Sequence, residues 1–248
     1  MIPWLIQTPA DYSETGPVTH PANFLHPFEQ QRLAGFKIEK RRQDWLLGRW
    51  TAKRLVQDYL KRTTGRYPNP SELVIANDPD GAPFVALVTA QEAQLQRLPV
   101  SLSISHSGDH ALSALWAEAE VGTDIERVER RSPSFVTTFF SEEEFAHLAL
   151  LGAALRPEAT TIIWSAKESV LKALRLGLRA DTRQVNCLPA IATGVSGWSP
   201  VQVRLAAPLA GRLGDNVLSA WWRPYGDFVI TLALLSQAVV SSGAHRES

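Results

Sequence analysis

Hydrophobic residues recur along the chain at two spacings, and each spacing predicts a different kind of element. Residues 39–60 and 157–176 place apolar side chains three or four positions apart, which is typical of helices that bury one face. Shorter apolar runs, bounded by Gly, Pro, Asn and Asp, are typical of strands. We expect strands at residues 4–7, 72–78, 84–87, 100–107, 110–117, 121–129, 201–206, 216–222 and 227–235.

A shorter helix precedes each long one, and this order divides the chain in two. One short helix is expected after Pro27 and another at residues 141–151, where Ser141 and Glu144 have the spacing of a capping box. In both parts the helical region is followed by several strands. The pattern therefore predicts an α+β fold of two halves, residues 1–118 and residues 119–248.

Composition and charge narrow the class of protein. The chain has 248 residues, of which 45% are hydrophobic, and its 25 Lys and Arg balance 25 Asp and Glu. A packed core is therefore expected, and no overall charge indicates binding to nucleic acid. Cys187 is the single cysteine, which excludes an internal disulfide and a cysteine-rich zinc site. The N-terminus lacks the features of a signal peptide and no run is as long as a membrane span, so we expect a cytoplasmic protein.

The stretch VGTDIERVERR contains two carboxylates that point to the same side of a predicted strand. Asp124 and Glu126 are two residues apart, with Ile125 expected to be buried on the opposite side. Paired carboxylates suit a hard cation such as Mg²⁺, which binds one or two carboxylates together with water and phosphate. The alternative is a solvated strand end, and the metal site needs a third ligand.

Glu168 and Lys172 are four residues apart on the predicted helix WSAKESVLKAL, on the flank of its apolar face. On a solvated helix such a pair contributes only a few tenths of a kcal/mol (about 0.2–0.5). An ordinary surface salt bridge is therefore the alternative to a role in chemistry. The second role is favoured only if other polar residues converge on the same flank.

The stretch SISHSGDH places Ser105 and His106 at the end of a predicted strand, just before the turn at Gly108. An imidazole between hydroxyl groups can donate a hydrogen bond to a phosphate, and the N–H groups of the turn can help. The alternative is a histidine that packs locally against its own strand.

The long helix RRQDWLLGRWTAKRLVQDYL carries three cations on its apolar side, Arg42, Arg49 and Lys53. A buried charge is very costly unless it is paired, so these side chains require anionic partners. The partners are either carboxylates of the protein or a phosphorylated ligand, for which arginine has a suitable bidentate geometry.

The order and spacing of these stretches resemble the Sfp-type 4′-phosphopantetheinyl transferases. The resemblance covers about residues 41–178 and is carried by WLLGRWTAKRL, DGAPFV, SISHS, VGTDIERV, FFSEEEF and WSAKESVLKALRLGL. Its most specific part is G-x-D-x-E followed further along by W-x-x-K-E-x-x-x-K. The resemblance implies a pseudo-twofold arrangement of two similar halves, each with a helix packed on a mainly antiparallel sheet, and coenzyme A bound between them.

The resemblance also implies roles for individual residues. Asp124, Glu126 and Glu168 would ligate Mg²⁺, with Mn²⁺ as an alternative ion. Glu168 would also be the base, either directly or through a water on the metal, and Lys172 would contact the phosphates.

The nucleotide side of coenzyme A would be held by His106 and Ser105, and basic residues of the N-terminal half would bind its 3′-phosphate. Many relatives have a lysine in the turn where this chain has Ala82, and Thr123 replaces the usual aliphatic residue of the metal motif. Which cations bind the 3′-phosphate is therefore open, and the candidates are Arg42, Arg49 and Lys53, with Arg49 the first choice.

The implied reaction moves 4′-phosphopantetheine from coenzyme A to a serine hydroxyl of an apo acyl or peptidyl carrier protein and releases 3′,5′-ADP. The sequence does not indicate whether the carrier serves fatty acid, polyketide or nonribosomal peptide synthesis, and loops near residues 127–140 are expected to decide it. We expect a monomer with no nucleic acid and no membrane as partner. The alternatives are a non-catalytic module that binds coenzyme A or a carrier, and a metal-dependent phosphohydrolase.

Overall fold

The computed structural model describes residues 2–13, 21–88, 95–190 and 197–238. Its helices are α1 (Pro9–Ser13), α2 (Pro27–Ala34), α3 (Glu39–Thr64), α4 (Pro133–Phe139), α5 (Glu142–Leu150), α6 (Arg156–Ala173) and α7 (Ala207–Ala210). Its strands are β1 (Trp4–Gln7), β2 (Leu73–Asn77), β3 (Pro83–Val88), β4 (Leu95–Arg97), β5 (Ser101–Ser107), β6 (His110–Trp116), β7 (Glu120–Arg127), β8 (Val185–Pro189), β9 (Ser199–Leu205), β10 (Asn216–Tyr225) and β11 (Phe228–Gln237). In these ranges no helix combines the length and the hydropathy that crossing a bilayer requires.

The described strands pair into three antiparallel sheets. Two belong to the N-terminal half, with strand orders β1-β6-β5 and β2-β3-β4, and the third belongs to the C-terminal half, with order β7-β11-β10-β9-β8. Helix α3 packs on the first sheet and α6 packs on the third. The α+β class and the packing of one long helix on an antiparallel sheet in each half are thereby confirmed, and the 118–119 division falls between β6 and β7.

The segment expected to form loops near residues 127–140 is partly helical, which corrects that prediction. Helix α4 begins at Pro133, and the hydroxyl of Ser132 accepts a hydrogen bond from the amide of Phe135 at 3.1 Å. The serine accepts a hydrogen bond from one free amide at the start of the helix, and the proline that follows it has no amide N–H to satisfy. This short segment can therefore form a helix although it contains two threonines.

A buried lysine–glutamate pair anchors the long helix of the N-terminal half. The side chain of Lys53 on α3 is 0% exposed, and its ammonium lies 2.5 Å from a carboxylate oxygen of Glu29 on α2. It also donates to the carbonyl oxygens of Phe24 and Pro70, at 2.8 and 3.0 Å. The other carboxylate oxygen of Glu29 accepts from the amide of Ile75 on β2 at 3.1 Å. One ion pair therefore joins both helices to the sheet.

The C-terminal half repeats this pair with different residues. Lys167 on α6 lies 2.7 Å from Glu144 on α5, both side chains are 0% exposed, and the ammonium donates to the carbonyls of Thr182 and Val185. Glu144 in turn accepts from the amide of Cys187 on β8 at 2.7 Å. In both halves the glutamate is also the N3 residue of its helix and forms a capping box with the N-cap residue, which is His26 on α2 and Ser141 on α5. Each half therefore has a buried lysine–glutamate pair that joins its long helix to a shorter helix and a strand.

Serine hydroxyls join the two halves along a seam between β5 and β7. The amides of Val121, Thr123 and Arg127 on β7 donate to the side chains of serines on β5, at 3.0, 3.0 and 3.2 Å. The accepting residues are Ser101, Ser103 and Ser107. The offset of twenty residues is constant, so the strands run in parallel, and hydroxyl groups take the place of a backbone ladder.

Gly122 on β7 allows α6 to approach this seam closely. A Cβ atom at this position would lie 1.8 Å from the carbonyl oxygen of Ser169 and 2.7 Å from the amide nitrogen of Ala173. Both atoms belong to the helix backbone, so they cannot move aside as a flexible side chain could. Glycine at 122 is therefore required for the contact that brings α6 against β7.

The Lys53→Met variant tests the role of the buried pair in the N-terminal half. It would leave the buried carboxylate of Glu29 unpaired, and we expect a loss of about 3–5 kcal/mol in the free energy of unfolding. Chemical denaturation followed by tryptophan fluorescence measures this loss.

The matched control for this prediction is Lys61→Met on the same helix, where the lysine is exposed. Its effect should stay within about 0.5 kcal/mol. Equal stability of the two variants would contradict the anchoring role of Lys53.

Candidate active site

Asp124 on β7 and Glu168 on α6 each have one carboxylate oxygen that is available to a ligand. Asp124 is only 4% exposed, and its Oδ1 accepts from the hydroxyl of Ser105 at 2.6 Å and from the ammonium of Lys172 at 2.8 Å. Its Oδ2 and the Oε1 of Glu168 are buried and have no hydrogen-bond partner among the described residues. Since Asp124 is buried, the solvated strand end considered from the sequence is wrong.

Glu126 lies on the same side of β7, as its spacing predicts, and is held by two side chains. Its Oε2 accepts from Arg131 at 2.8 Å, and its Oε1 accepts from the indole N–H of Trp164 on α6 at 3.1 Å. Burial raises the pKa of Glu126, and the nearby carboxylate of Asp124 raises it further. The sequence analysis did not identify Arg131 as the partner of Glu126, because nothing in a run of charged residues shows which carboxylate one arginine will bind.

The carboxyl group of Glu168 is the most perturbed of the three. Burial raises its pKa from 4.5 to about 7, and the charges of Asp124 and Glu126 act in the same direction. Lys172 opposes the shift. A carboxyl group with this pKa is close to half ionised at neutral pH, which suits a group that gives and takes a proton.

These carboxylates match a hard cation in their chemistry, because Mg²⁺ prefers anionic oxygen ligands. The unpartnered oxygens of Asp124 and Glu168 are available for such an ion. Within the described ranges, however, no three His, Cys, Asp or Glu side chains are already placed to hold a metal together. Lys172 binds Asp124 and Arg131 binds Glu126, so the oxygens that could converge are partly shared with cations.

Lys172 connects these carboxylates to a cavity between the two halves. Its ammonium donates to the carbonyl oxygen of Thr123 at 3.0 Å as well as to Asp124, and its side chain forms part of the cavity wall. The cavity has a volume of 710 Å³. Its other walls are formed by β5, the start of β7 and the turn that contains Ala82. A ligand in this cavity would therefore contact both halves and Lys172 together.

The structure separates the three cations predicted to face inward on α3. Lys53 is wrong as a candidate for binding coenzyme A, because it is fully buried and its ammonium is used by Glu29 and two carbonyl groups. Arg42 is half-buried and lies 3.6 Å from the carboxylate of Glu39, one turn earlier on the same helix. The helical spacing placed these three residues on the apolar side of α3 but could not indicate how deeply each side chain is buried.

Arg49 is a buried cation without a carboxylate partner among the described residues. Its Nη2 donates to the side-chain oxygen of Asn77 at 3.2 Å, and its guanidinium lies 4.9 Å from the centre of the Trp45 ring. Its Nε is buried and unpartnered in the described part of the chain. Burial lowers the pKa of Arg49 to about 10, although the charge of Glu29 acts in the opposite direction. A guanidinium in this state can accept an anionic ligand.

His106 and Ser105 lie beside this site but differ in their surroundings. One edge of the His106 ring packs on Gly48 of α3, where a Cβ atom would lie 2.3 Å from Nε2, and the rest of the residue is exposed. Desolvation of the His106 ring where it packs against α3 is the largest effect and lowers its pKa to about 4, and the charges of Lys172 and Arg49 act in the same direction. Ser105 is buried, and its hydroxyl donates to Asp124. Contact of either residue with coenzyme A stays a prediction.

The pH dependence of stability tests the environment of Glu168. Because its pKa rises from 4.5 to about 7 on folding, the folded state binds more protons than the unfolded state between these values. Wild-type protein therefore loses stability from this group as pH rises through that window. Glutamine cannot ionise, so the Glu168→Gln variant should melt at a higher temperature than wild type at pH 8, with a smaller difference at pH 5.

Thermal melts of both proteins at the two pH values measure this difference. Glu158→Gln on the same helix is the control and should show no change of the difference with pH. If the melting temperatures of wild type and Glu168→Gln differed by the same amount at pH 5 and pH 8, the buried environment assigned to Glu168 would be contradicted.

Known proteins similar to this chain point to one family. Residues 120–232 match the model of the 4′-phosphopantetheinyl transferase superfamily. The chain is 23% identical over 172 residues to an L-aminoadipate-semialdehyde dehydrogenase-phosphopantetheinyl transferase of Xenopus laevis, covering 66% of this chain and 54% of the relative. It is 27% identical over 119 residues to a protein of Synechocystis named as a 4′-phosphopantetheinyl transferase, covering 47% and 45%. The chain thus spans about half the length of these curated relatives.

Two solved structures are similar to part of the chain. The holo-[acyl-carrier-protein] synthase of Neisseria meningitidis is 18% identical with a TM-score of 0.39, covering 47% of this chain and 97% of that one. The corresponding synthase of Helicobacter pylori, in complex with coenzyme A, is 18% identical with a TM-score of 0.37, covering 47% and 99%. The family match includes Asp124, Glu126, Glu168 and Lys172. The resemblance expected from the sequence is therefore confirmed over residues 120–232, which match the model of the 4′-phosphopantetheinyl transferase superfamily.

Proposed function

We propose that this protein transfers 4′-phosphopantetheine from coenzyme A to a serine hydroxyl of an apo acyl or peptidyl carrier protein, releasing 3′,5′-ADP, with Mg²⁺ or Mn²⁺ as the metal. The observation that carries the proposal is the pair of buried, unpartnered oxygens on Asp124 and Glu168, beside Lys172 at the wall of a cavity between the halves. This constellation lies within the residues that match the superfamily. Named activities of the relatives support the same reaction.

Glu168 is the proposed base of the reaction. The carrier serine attacks the β-phosphorus of coenzyme A, the bond to the oxygen of 3′,5′-ADP breaks, and the serine proton passes to a carboxylate. With a pKa of about 7, Glu168 is basic enough to take this proton and is still substantially ionised at neutral pH. The proton passes to Glu168 either directly or through one water.

Asp124, Glu126 and Glu168 are the proposed ligands of the metal. A divalent cation held by these residues would supply positive charge against the negative charge that develops on the phosphates in the transition state. Ser105 holds the Oδ1 side of Asp124 and thereby leaves Oδ2 free for this task. Trp164 and Arg131 orient Glu126 from two sides.

Lys172 is proposed to contact the phosphates of coenzyme A. In the absence of ligand its ammonium neutralises Asp124. Its side chain is 26% exposed and ends a flexible chain of four methylenes, so it can turn to a phosphate oxygen when another cation takes its place on Asp124. It would then stabilise the departing phosphate.

Arg49 is the first candidate for binding the phosphates on the nucleotide side, with His106 and Ser105 near it and Arg42 at the edge. Arg49 is favoured because a buried guanidinium without a carboxylate partner is costly unless a ligand supplies the anion. Since one chain forms both sides of the cavity, we expect a monomer to be active. We expect the protein to act in the cytoplasm.

The transfer assay tests the proposed function. Wild-type protein, coenzyme A and Mg²⁺ are incubated with an apo carrier, whose mass should increase by one phosphopantetheine group. Asp124→Asn and Glu168→Gln should each lower the initial rate by at least about 100-fold. Glu158→Gln on α6 is the matched control and should keep the wild-type rate.

Other outcomes of the assay would contradict the proposal in different ways. If coenzyme A binds but no carrier gains mass, a non-catalytic binding module is indicated. Coenzyme A hydrolysis without a carrier would indicate a phosphohydrolase. Near-normal rates for both carboxylate variants would show that the three-carboxylate site is wrong.

The Arg49→Ala variant tests the proposed phosphate contact. Loss of a charge-assisted hydrogen bond costs about 1.5–3 kcal/mol, so the Kd for coenzyme A should rise by about 10- to 100-fold. The melting temperature of the ligand-free protein should change little, because Arg49 has only a neutral partner. Isothermal titration calorimetry with coenzyme A measures the first effect, and thermal melts measure the second.

Arg54→Ala is the control for this variant, because Arg54 lies on the same helix and donates to the hydroxyl of Tyr67. It should leave coenzyme A binding unchanged. A large fall in melting temperature for Arg49→Ala, together with unchanged affinity, would assign Arg49 a structural role instead.

A further inference from the structure

Arg175, which follows α6, reaches across the cavity to the turn between β2 and β3. Its Nε donates to Oδ2 of Asp80 at 2.8 Å, and its Nη2 donates to Oδ2 of Asp78 at 2.6 Å and to Oδ1 of Asp80 at 3.2 Å. The partners are 95 and 97 residues away in the sequence. This contact therefore joins the C-terminal half to residues 78–82 of the N-terminal half.

Other charges extend this contact into a network. Arg97 on β4 donates two hydrogen bonds to the carboxylate of Asp78, both at 2.9 Å, and Glu120 at the start of β7 lies 3.8 Å from Arg175. Hydrogen bonds from Arg97 and Arg175 lower the pKa of Asp78 to about 2. The carboxylates therefore stay charged at neutral pH. Networks of this kind hold their geometry better than an isolated surface pair.

The backbone of Arg175 indicates that its side chain is needed at this position. Arg175 has φ of 57°, and it is the one non-glycine residue with positive φ among those the structure describes. A residue with a Cβ adopts this conformation only at a cost in free energy, whereas glycine adopts it freely. Such strain persists where surrounding contacts hold it in place.

The network forms part of the wall of the cavity that also contains Lys172. Asp80, Ala82, Lys172 and Arg175 all line this cavity. The turn itself is closed by the hydrogen bond from the amide of Ala82 to Asp80, at 3.0 Å. Lys172 and Ala82 both line this cavity, and the hydrogen bond between Arg175 and Asp80 connects the parts of the wall to which they belong.

We propose that Arg175 is a positioning residue that sets the width of the cavity between the two halves, and thereby the affinity for coenzyme A, by holding the 78–82 turn against the end of α6. This inference rests on the proposed function, because the ligand of the cavity is taken to be coenzyme A. The hydrogen bonds that place Lys172 beside Asp124 and Thr123 do not involve Arg175, so we expect the chemical step to be affected less than binding.

The Arg175→Gly variant tests this proposal. It removes the guanidinium and relieves the backbone strain, so the melting temperature should change little. We expect the Kd and the KM for coenzyme A to rise by about 10-fold, because the cavity walls are no longer held in place before binding. The kcat should change by less than about 3-fold. Calorimetry and carrier-transfer kinetics provide these values.

Arg183→Ala is the matched control. Arg183 is an exposed arginine that, like Arg175, binds aspartate through two nitrogens, but its partner Asp181 is two residues away in the same half. Removal of that arginine should leave the Kd for coenzyme A unchanged. A rise equal to that of Arg175→Gly would assign the effect to loss of positive charge rather than to contact between the halves.

A double-mutant cycle with Asp80→Asn identifies the contact responsible. If Arg175 acts through Asp80, the double variant should bind coenzyme A about as weakly as the Arg175 variant alone. Fully additive losses would overturn this assignment. Hydrogen exchange gives a readout that does not depend on any ligand, and Arg175→Gly should accelerate exchange of the amides of residues 78–82.

The failure of the positioning role and the failure of the proposed function give different results. If wild-type protein neither binds coenzyme A nor modifies a carrier, the proposed function is wrong and the positioning role fails with it. If wild-type protein is active but Arg175→Gly has normal Kd, KM and hydrogen exchange, only the positioning role is wrong. A lower melting temperature with unchanged affinity would likewise reduce Arg175 to a structural residue.

Discussion

One buried lysine–glutamate pair in each half fixes the rotation of the two long helices, and the candidate site depends on that rotation. A buried ammonium must keep its carboxylate and carbonyl partners, so α3 cannot turn away from Glu29 and α6 cannot turn away from Glu144. Lys167 immediately precedes Glu168, which is thereby directed along the flank of α6 toward β7. Lys53 lies one turn after Arg49 and orients it in the same way.

The hydrogen bonds between β5 and β7 hold the two halves together, so that residues of both halves form one site. Serine hydroxyls on β5 accept the amides of β7, and Ser105 continues the series by donating to Asp124. Gly122 lets α6 approach the same strand. Burial of the Glu168 carboxyl group raises its pKa to about 7, and the charges of Asp124 and Glu126 on the strand act in the same direction.

Sequence reasoning predicted what periodicity and local chemistry encode. Both long helices and all strands except β4 and β8 were expected from spacing. Asp124, Glu126, Glu168 and Lys172 were singled out by two short motifs and by the family resemblance that these motifs carry. It failed where partners are remote in sequence. The burial of Lys53 depends on its ion pair with Glu29, and the contact of Arg175 with the 78–82 turn depends on Asp80. No periodic pattern in the sequence links the members of either pair. Helix α4 was missed because seven residues are too few to show a period.

Crystals grown with coenzyme A and Mn²⁺ provide the most direct test of the central claim that Asp124 and Glu168 hold a metal beside the pyrophosphate. Anomalous scattering locates Mn²⁺ independently of any assumed ligand. The account predicts a peak within about 2.5 Å of Oδ2 of Asp124 and Oε1 of Glu168, with the ammonium of Lys172 moved from Asp124 to a phosphate oxygen. A peak elsewhere, or Lys172 still bound to Asp124 with coenzyme A in place and no metal between the carboxylates, would contradict it.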